Sequence, residues 1–228
     1  MTRIGILLSG SGVYDGTEIQ EAVLAMLAIK ELGADYQCIS IDKPQKHVIN
    51  HLTGAEMPET RNMKIESARI ARGDVADISD MSPALLDALV LPGGFGAAKN
   101  LTTWAFNGPE GDILPEVKLL IVNMINAGKP VCGLCVSPLV IAKALEGSAI
   151  HPQLTLGSTT KSSPYDIDGF HGGLKATGAE VQEKTISEIL VDENHKIVTA
   201  PCYMMDADIL EVRQNIKMAI EKTVELIG

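Results

Sequence analysis

Aromatic side chains are scarce in this chain: 4% of 228 residues, with a single Trp104. That is too few for the stacking platforms that grip single-stranded nucleic acid. Basic residues are also in the minority, 19 against 29 acidic, for a net charge of −10, and no cluster of five or more Lys or Arg offsets it. Such a chain repels a phosphate backbone, which excludes general nucleic-acid binding. The longest apolar run, Ala22 to Ile29, has eight residues, against the roughly 20 that a membrane-spanning helix needs. The apolar block after Met1-Thr2-Arg3 is too short for a secretory signal and reads as a first strand. Cysteine is sparse as well, four in all, and the one close pair, Cys132-Gly133-Leu134-Cys135, has no second Cys or His pair at ligand spacing to complete a zinc site. These absences lead to the expectation of a reduced, cytoplasmic protein that needs no metal and no membrane.

What is present is enough apolar sequence for a sizeable core: 46% hydrophobic against 21% charged. No repeat or linker divides the chain, so residues 1–228 read as one domain. Arg3–Ser9, Tyr36–Ile41, Ala88–Leu91 and Val131–Leu134 read as strands. Leu154–Leu156, Glu188–Val191 and Lys196–Thr199 read as later ones, the last two a hairpin turning at Glu193-Asn194. Thr17–Leu32, Pro115–Ala127, Ser137–Leu145 and Ala207–Leu226 read as helices, the first with a Thr17/Gln20 capping box and a stop at Gly33. Solidly apolar strands alternating with helices predict an α/β fold with a mainly parallel sheet covered on both faces. Ligands in such sheets sit at the carboxyl ends of the strands.

Three strand ends carry unusual residues. Gly133-Leu134-Cys135-Val136-Ser137 lies between an apolar strand and an apolar helix. Small residues around a central nucleophile make a nucleophile elbow, a sharp turn that lifts the side chain clear of the sheet. The helix N-terminus beneath Cys135 is expected to stabilise a thiolate and lower its pKa. Cys132 reads as core. Extended residues hold it roughly 10 Å from Cys135 between α-carbons, too far for a disulfide. Pro92-Gly93-Gly94-Phe95-Gly96 follows another strand, where glycines let backbone amides point into a cleft and, with that of Val136, form an oxyanion hole.

The third strand end is Ser9 to Glu21, whose glycines give G-x-G-x-x-x-G, looser than the dinucleotide fingerprint. Its notable residue is Glu21, set among Ala22, Leu24, Ala25 and Ala28 and so expected to be half-buried with a raised pKa. Glu18 fits a solvated first-turn acid and is the alternative. Among histidines, His51 and His171 are the candidates to meet the cysteine, His171 in a glycine-rich segment able to fold over the site; none directly follows Cys135. A Cys135–Glu21 dyad without histidine is the preferred reading. Ser158–Gly173 is assigned no element.

Six stretches, SGSGVYDGTEIQEAV from Ser9, HVINHLTG from His47, RNMKIESARIARG from Arg61, LPGGFGAAKN from Leu91, KPVCGLCVSP from Lys129 and IVTAPCYM from Ile197, carry a family resemblance. The chain resembles the enhancing-lycopene-biosynthesis (ES-one) proteins, a branch of the class I glutamine amidotransferase-like, PfpI-like superfamily. The resemblance implies a flavodoxin-like three-layer sandwich and a homodimer. It matches Cys135 to the elbow nucleophile, and Gly94 and Val136 to the oxyanion hole. Two departures count against peptidase and glutaminase activity: Val136 stands where the protease-like branch has histidine, and Cys202-Tyr203-Met204 follows Ala200-Pro201 where glutaminases have His-x-Glu. Some relatives resemble cofactor-independent glyoxalases. The expected function is therefore conversion of small 2-oxoaldehydes to 2-hydroxy acids through Cys135 and Glu21, without cofactor. A non-catalytic cysteine redox sensor or regulatory binding protein is the alternative, and a partner-dependent glutaminase-like subunit ranks third.

Overall fold

The computed structural model describes residues 1–228. The apolar runs form the centre of a seven-stranded sheet. In chain order the elements are β1 (Arg3–Leu7), α1 (Ile19–Glu31), β2 (Asp35–Ser40), α2 (Met63–Ile70), β3 (Val75–Asp77), β4 (Ala88–Leu91), α3 (Trp104–Asn107), α4 (Pro115–Asn126), β5 (Val131–Leu134) and α5 (Pro138–Leu145). There follow β6 (Gln153–Leu154), α6 (Ile167–Ala176), β7 (Glu180–Val181), β8 (Leu190–Asp192), β9 (Ile197–Ala200) and α7 (Ile209–Glu225).

The strand order is β3-β2-β1-β4-β5-β9-β8, parallel except for the β8–β9 hairpin at one edge. β4 and β5 lie at the centre and are buried throughout, as their unbroken apolar sequences require. Helices α1 and α7 pack together over one face and α4 and α5 over the other, giving the flavodoxin-like three-layer arrangement. Strand order reverses between β1 and β4, so the loops leaving those strands diverge and open a crevice at their carboxyl ends. No helix is long and apolar enough to cross a membrane.

Several local expectations are corrected. Leu154 does not join the main sheet: β6 pairs with β7 in a separate two-stranded sheet. The N-cap of α1 is Glu18, whose carboxylate accepts from the Glu21 N–H at 2.6 Å. Thr17 is unavailable as a cap because its hydroxyl accepts from the Ser9 N–H at 2.7 Å, tying the loop back to β1. His171 is not on a mobile flap but buried within α6.

Candidate active site at the carboxyl ends of β1, β4 and β5

Cys135 sits one residue past β5 with φ +56, a left-handed backbone that few non-glycine residues adopt. Its N–H donates to the Ala200 carbonyl at 2.8 Å, so β9 fixes one side of the elbow. Ser137 fixes the other through its hydroxyl on the Pro92 carbonyl. Cys135 is 6% exposed and lines a small cleft with Val13, Phe95, Val136, Met204 and the rings of Tyr165 and Tyr203. Glu18 and Gly94 complete the lining, which contains no histidine.

Glu21 comes up behind the cysteine from the first turn of α1. It is 0% exposed, more deeply buried than its sequence surroundings predict. Its Oε2 accepts from the Gly93 N–H at 2.8 Å and its Oε1 from the Tyr203 N–H at 3.4 Å. Gly93 is the hinge of this arrangement. A Cβ there would lie 2.6 Å from Glu21 Oε2 and 2.9 Å from Cys135 Sγ, and would strike Cys135 Cβ. Only glycine lets the β4 loop pass between the two side chains.

The electrostatics correct one expectation. Cys135 is not held at a lowered pKa. Burial pushes its thiol well above the ordinary range, and the Glu21 carboxyl beside it, as like charge and hydrogen-bond acceptor, raises it further. The amides of Val136 and Gly94 oppose this by hydrogen bonding to the sulfur, but desolvation outweighs them. Glu21 is raised to about 8, by burial first and then by the charge of Glu18; the Cys135 thiol and the Gly93 and Tyr203 amides pull the other way. Near neutral pH the pair therefore holds both protons in its main form, with amide donors ready to receive negative charge on either member.

The remaining predicted residues fall outside this centre. His51 lies in the loop beyond β2. It accepts from the Tyr14 N–H at 3.2 Å, stacks tilted on the Tyr14 ring at 4.9 Å and has Asp15 Oδ1 at 3.9 Å. His171 is held in α6, where burial lowers its pKa. Neither lines the cysteine cleft. In the Gly10–Gly16 loop, Gly12 N–H donates to the Thr17 carbonyl at 2.9 Å and Gly16 N–H to the Gly12 carbonyl at 2.7 Å, so two of its glycine amides are used within the loop. Tyr165 and Tyr203 line the cleft without having been marked by any motif in the sequence. Tyr165 packs edge-on to Phe95 at 5.8 Å, and the Tyr203 hydroxyl donates to Gln20.

Sheet order, elbow and buried acid define a protein of the DJ-1/ThiJ/PfpI fold type. The human protein named "Glutamine amidotransferase-like class 1 domain-containing protein 3, mitochondrial" is 38% identical over 99% of this chain and 84% of its own length. The rat "ES1 protein homolog, mitochondrial" is 36% identical over the same shares. The chain belongs to this ES1, glutamine amidotransferase-like family. A crystal structure from Ehrlichia chaffeensis, described as an isoprenoid biosynthesis protein with amidotransferase-like domain, superposes at TM-score 0.90 with 31% identity over 100% of both chains. Drosophila melanogaster DJ-1beta, at 15% identity and TM-score 0.54 over 99% of this chain and 95% of its own, shares the fold alone. No protein-family model matches the chain. The expectation of a cytoplasmic protein is overturned by these relatives: the human and rat proteins, and a zebrafish one 27% identical over 91% of this chain and 78% of its own length, are all named mitochondrial.

Proposed function

We propose that the protein is a cofactor-independent glyoxalase-like enzyme that converts small 2-oxoaldehydes, such as methylglyoxal or glyoxal, into 2-hydroxy acids. The observation that carries this reading is the buried Glu21 carboxyl against Cys135, with the Gly94 and Val136 amides directed at the sulfur. A carboxyl with a pKa near 8 suits a group that must both take and return a proton near neutral pH.

The chemistry starts with Cys135 Sγ adding to the aldehyde carbon. The thiol proton passes to the ionised fraction of Glu21 and then to the former aldehyde oxygen, giving a hemithioacetal. Glu21 next removes the hydrogen from that carbon, forming an enediol, and a proton returned to the neighbouring carbon gives a 2-hydroxy thioester. Water cleaves the thioester, releases the hydroxy acid and restores the thiol. The net change is addition of one water to the oxoaldehyde. The Gly94 and Val136 amides supply the donors for the oxyanions. The test is acid quenching during methylglyoxal turnover followed by peptide mass spectrometry. A lactoyl thioester on Cys135 supports the reading, and its absence while turnover proceeds overturns it.

A second reading rests on the same amides, which would hold an oxidised sulfur and make Cys135 a peroxide-sensitive switch, although burial and the raised thiol pKa count against it. Mild peroxide treatment separates the two. Selective oxidation of Cys135 in a protein without turnover supports the sensor, and unselective oxidation counts against it.

A further inference from the structure

The cysteine cleft adjoins a larger, more open one, with which it shares Val13, Glu18, Tyr165 and Tyr203. Tyr14 and Asp206 stand on the outer wall. Three of the chain's four tyrosines therefore gather at one opening in an aromatic-poor protein. Every ionisable side chain in the two linings is a carboxyl, a phenol or the thiol; none is Lys, Arg or His. Of the cations that border the region, Lys99 donates to the Tyr14 carbonyl at 2.8 Å and lies 5.8 Å over the Phe95 ring, His51 stacks on the Tyr14 ring outside both linings, and Lys161 is exposed and shares an adjoining cleft with Asp206. Asp206 is exposed and oriented by the Ser162 hydroxyl.

Carboxylates interleaved with aromatic rings are the chemistry that recognises an organic cation. They repel carboxylates and phosphates. We propose that the outer cleft selects carbonyl compounds bearing an ammonium-type group, Asp206 and Glu18 meeting the cation among Tyr14, Tyr165 and Tyr203 while the carbonyl reaches Cys135. The two clefts divide the ligand accordingly, a small reactive end inside and a charged end outside. The same carboxylates drive out a hydroxy-acid product, which gains a negative charge as it forms. The substrate class named here rests on the carbonyl chemistry proposed above, while the charge preference is a property of the approach to the sulfur and is measurable without turnover.

The experiment compares the rates at which Cys135 is modified by three methanethiosulfonates: a trimethylammonium-ethyl reagent, the neutral methyl reagent and a sulfonato-ethyl reagent. Each rate is divided by that for a free blocked cysteine, and Cys135→Ala gives the background from the other three cysteines. The cationic reagent is expected to exceed the anionic one by about tenfold at low salt, with the ratio falling as salt is added. Asp206→Asn is expected to reduce that ratio severalfold and Asp206→Lys to bring it to one or below. Glu225→Lys, about 24 Å along α7 from its start, changes net charge as much as the reversal of Asp206 does and is expected to leave the ratio nearly unchanged. A wild-type ratio of one or less overturns the proposal, as does a ratio that Glu225→Lys lowers as much as Asp206→Lys. If the charge preference appears but no aldehyde is turned over, the glyoxalase reading fails and the cation site stands.

Discussion

Glu21 and Cys135 converge on a single point, the space a Gly93 side chain would occupy, which lies 2.6 Å from the Glu21 oxygen and 2.9 Å from the Cys135 sulfur. The β1–α1 segment delivers the acid, β4 delivers the glycine and β5 delivers the cysteine. The crevice where strand order reverses is what allows all three to meet.

Gly93→Ala is therefore expected to separate the pair. Its methyl group has no free space, and the neighbours that must move are Glu21 and Cys135, the two members of the proposed dyad. The expected outcome is a loss of about 1–3 kcal/mol in stability, as for overpacking elsewhere, with turnover falling on the order of 100-fold from misplacement of the dyad. Urea unfolding and aldehyde kinetics on one preparation check both.

Stability should depend on pH through Glu21. Its folded value of about 8 lies above its ordinary 4.5, so the protonated carboxyl is the form the fold accepts. That contribution is complete below pH 4.5 and is lost as pH rises through about 8, at up to about 1.4 kcal/mol per pH unit. Glu21→Gln carries no such dependence. Urea unfolding at pH 5 and pH 8 is expected to show the wild type losing a few kcal/mol relative to this variant, and parallel losses would contradict the assignment.

Histidine is expected to be dispensable. His51→Ala and His171→Gln remove the two candidate histidines without touching the cleft lining, so turnover per folded molecule should stay within about twofold of wild type. A 100-fold loss in either would mean that a histidine enters the site during catalysis.

The homodimer implied by the family resemblance has a surface suited to it. Ile19, Val23 and Leu27 repeat every four residues along α1 and are 45%, 48% and 44% exposed, a continuous apolar stripe beside the site. We propose that a second copy covers it. Light scattering is expected to give twice the chain mass for wild type and a monomer for Val23→Glu/Leu27→Glu; a monomeric wild type would contradict it.

Much of this architecture is readable from composition and period. Ala88–Leu91 and Val131–Leu134 are strands with those bounds because unbroken apolar runs between turn residues have one stable place, the middle of a parallel sheet. Cys135 is legible because the elbow needs small neighbours that appear in the sequence. Tyr165 and Tyr203 were not legible, since a lone ring in a loop has no period and only tertiary folding brings it to the cleft. α2 was missed for a related reason: Met63–Ile70 mixes charged and apolar residues without a clear stripe, and the Asn62 cap that starts it is a short-range signal. The pKa of Cys135 was misjudged because the sequence displays the helix terminus but not the desolvation that outweighs it.

The central claim is a catalytic dyad, and methylglyoxal consumption tests it most directly, with lactate detected as product and no glutathione present. Wild type should turn over, and Cys135→Ala and Glu21→Gln should each fall at least about 100-fold. Full activity in Cys135→Ala, or no lactate from wild type, would contradict the account.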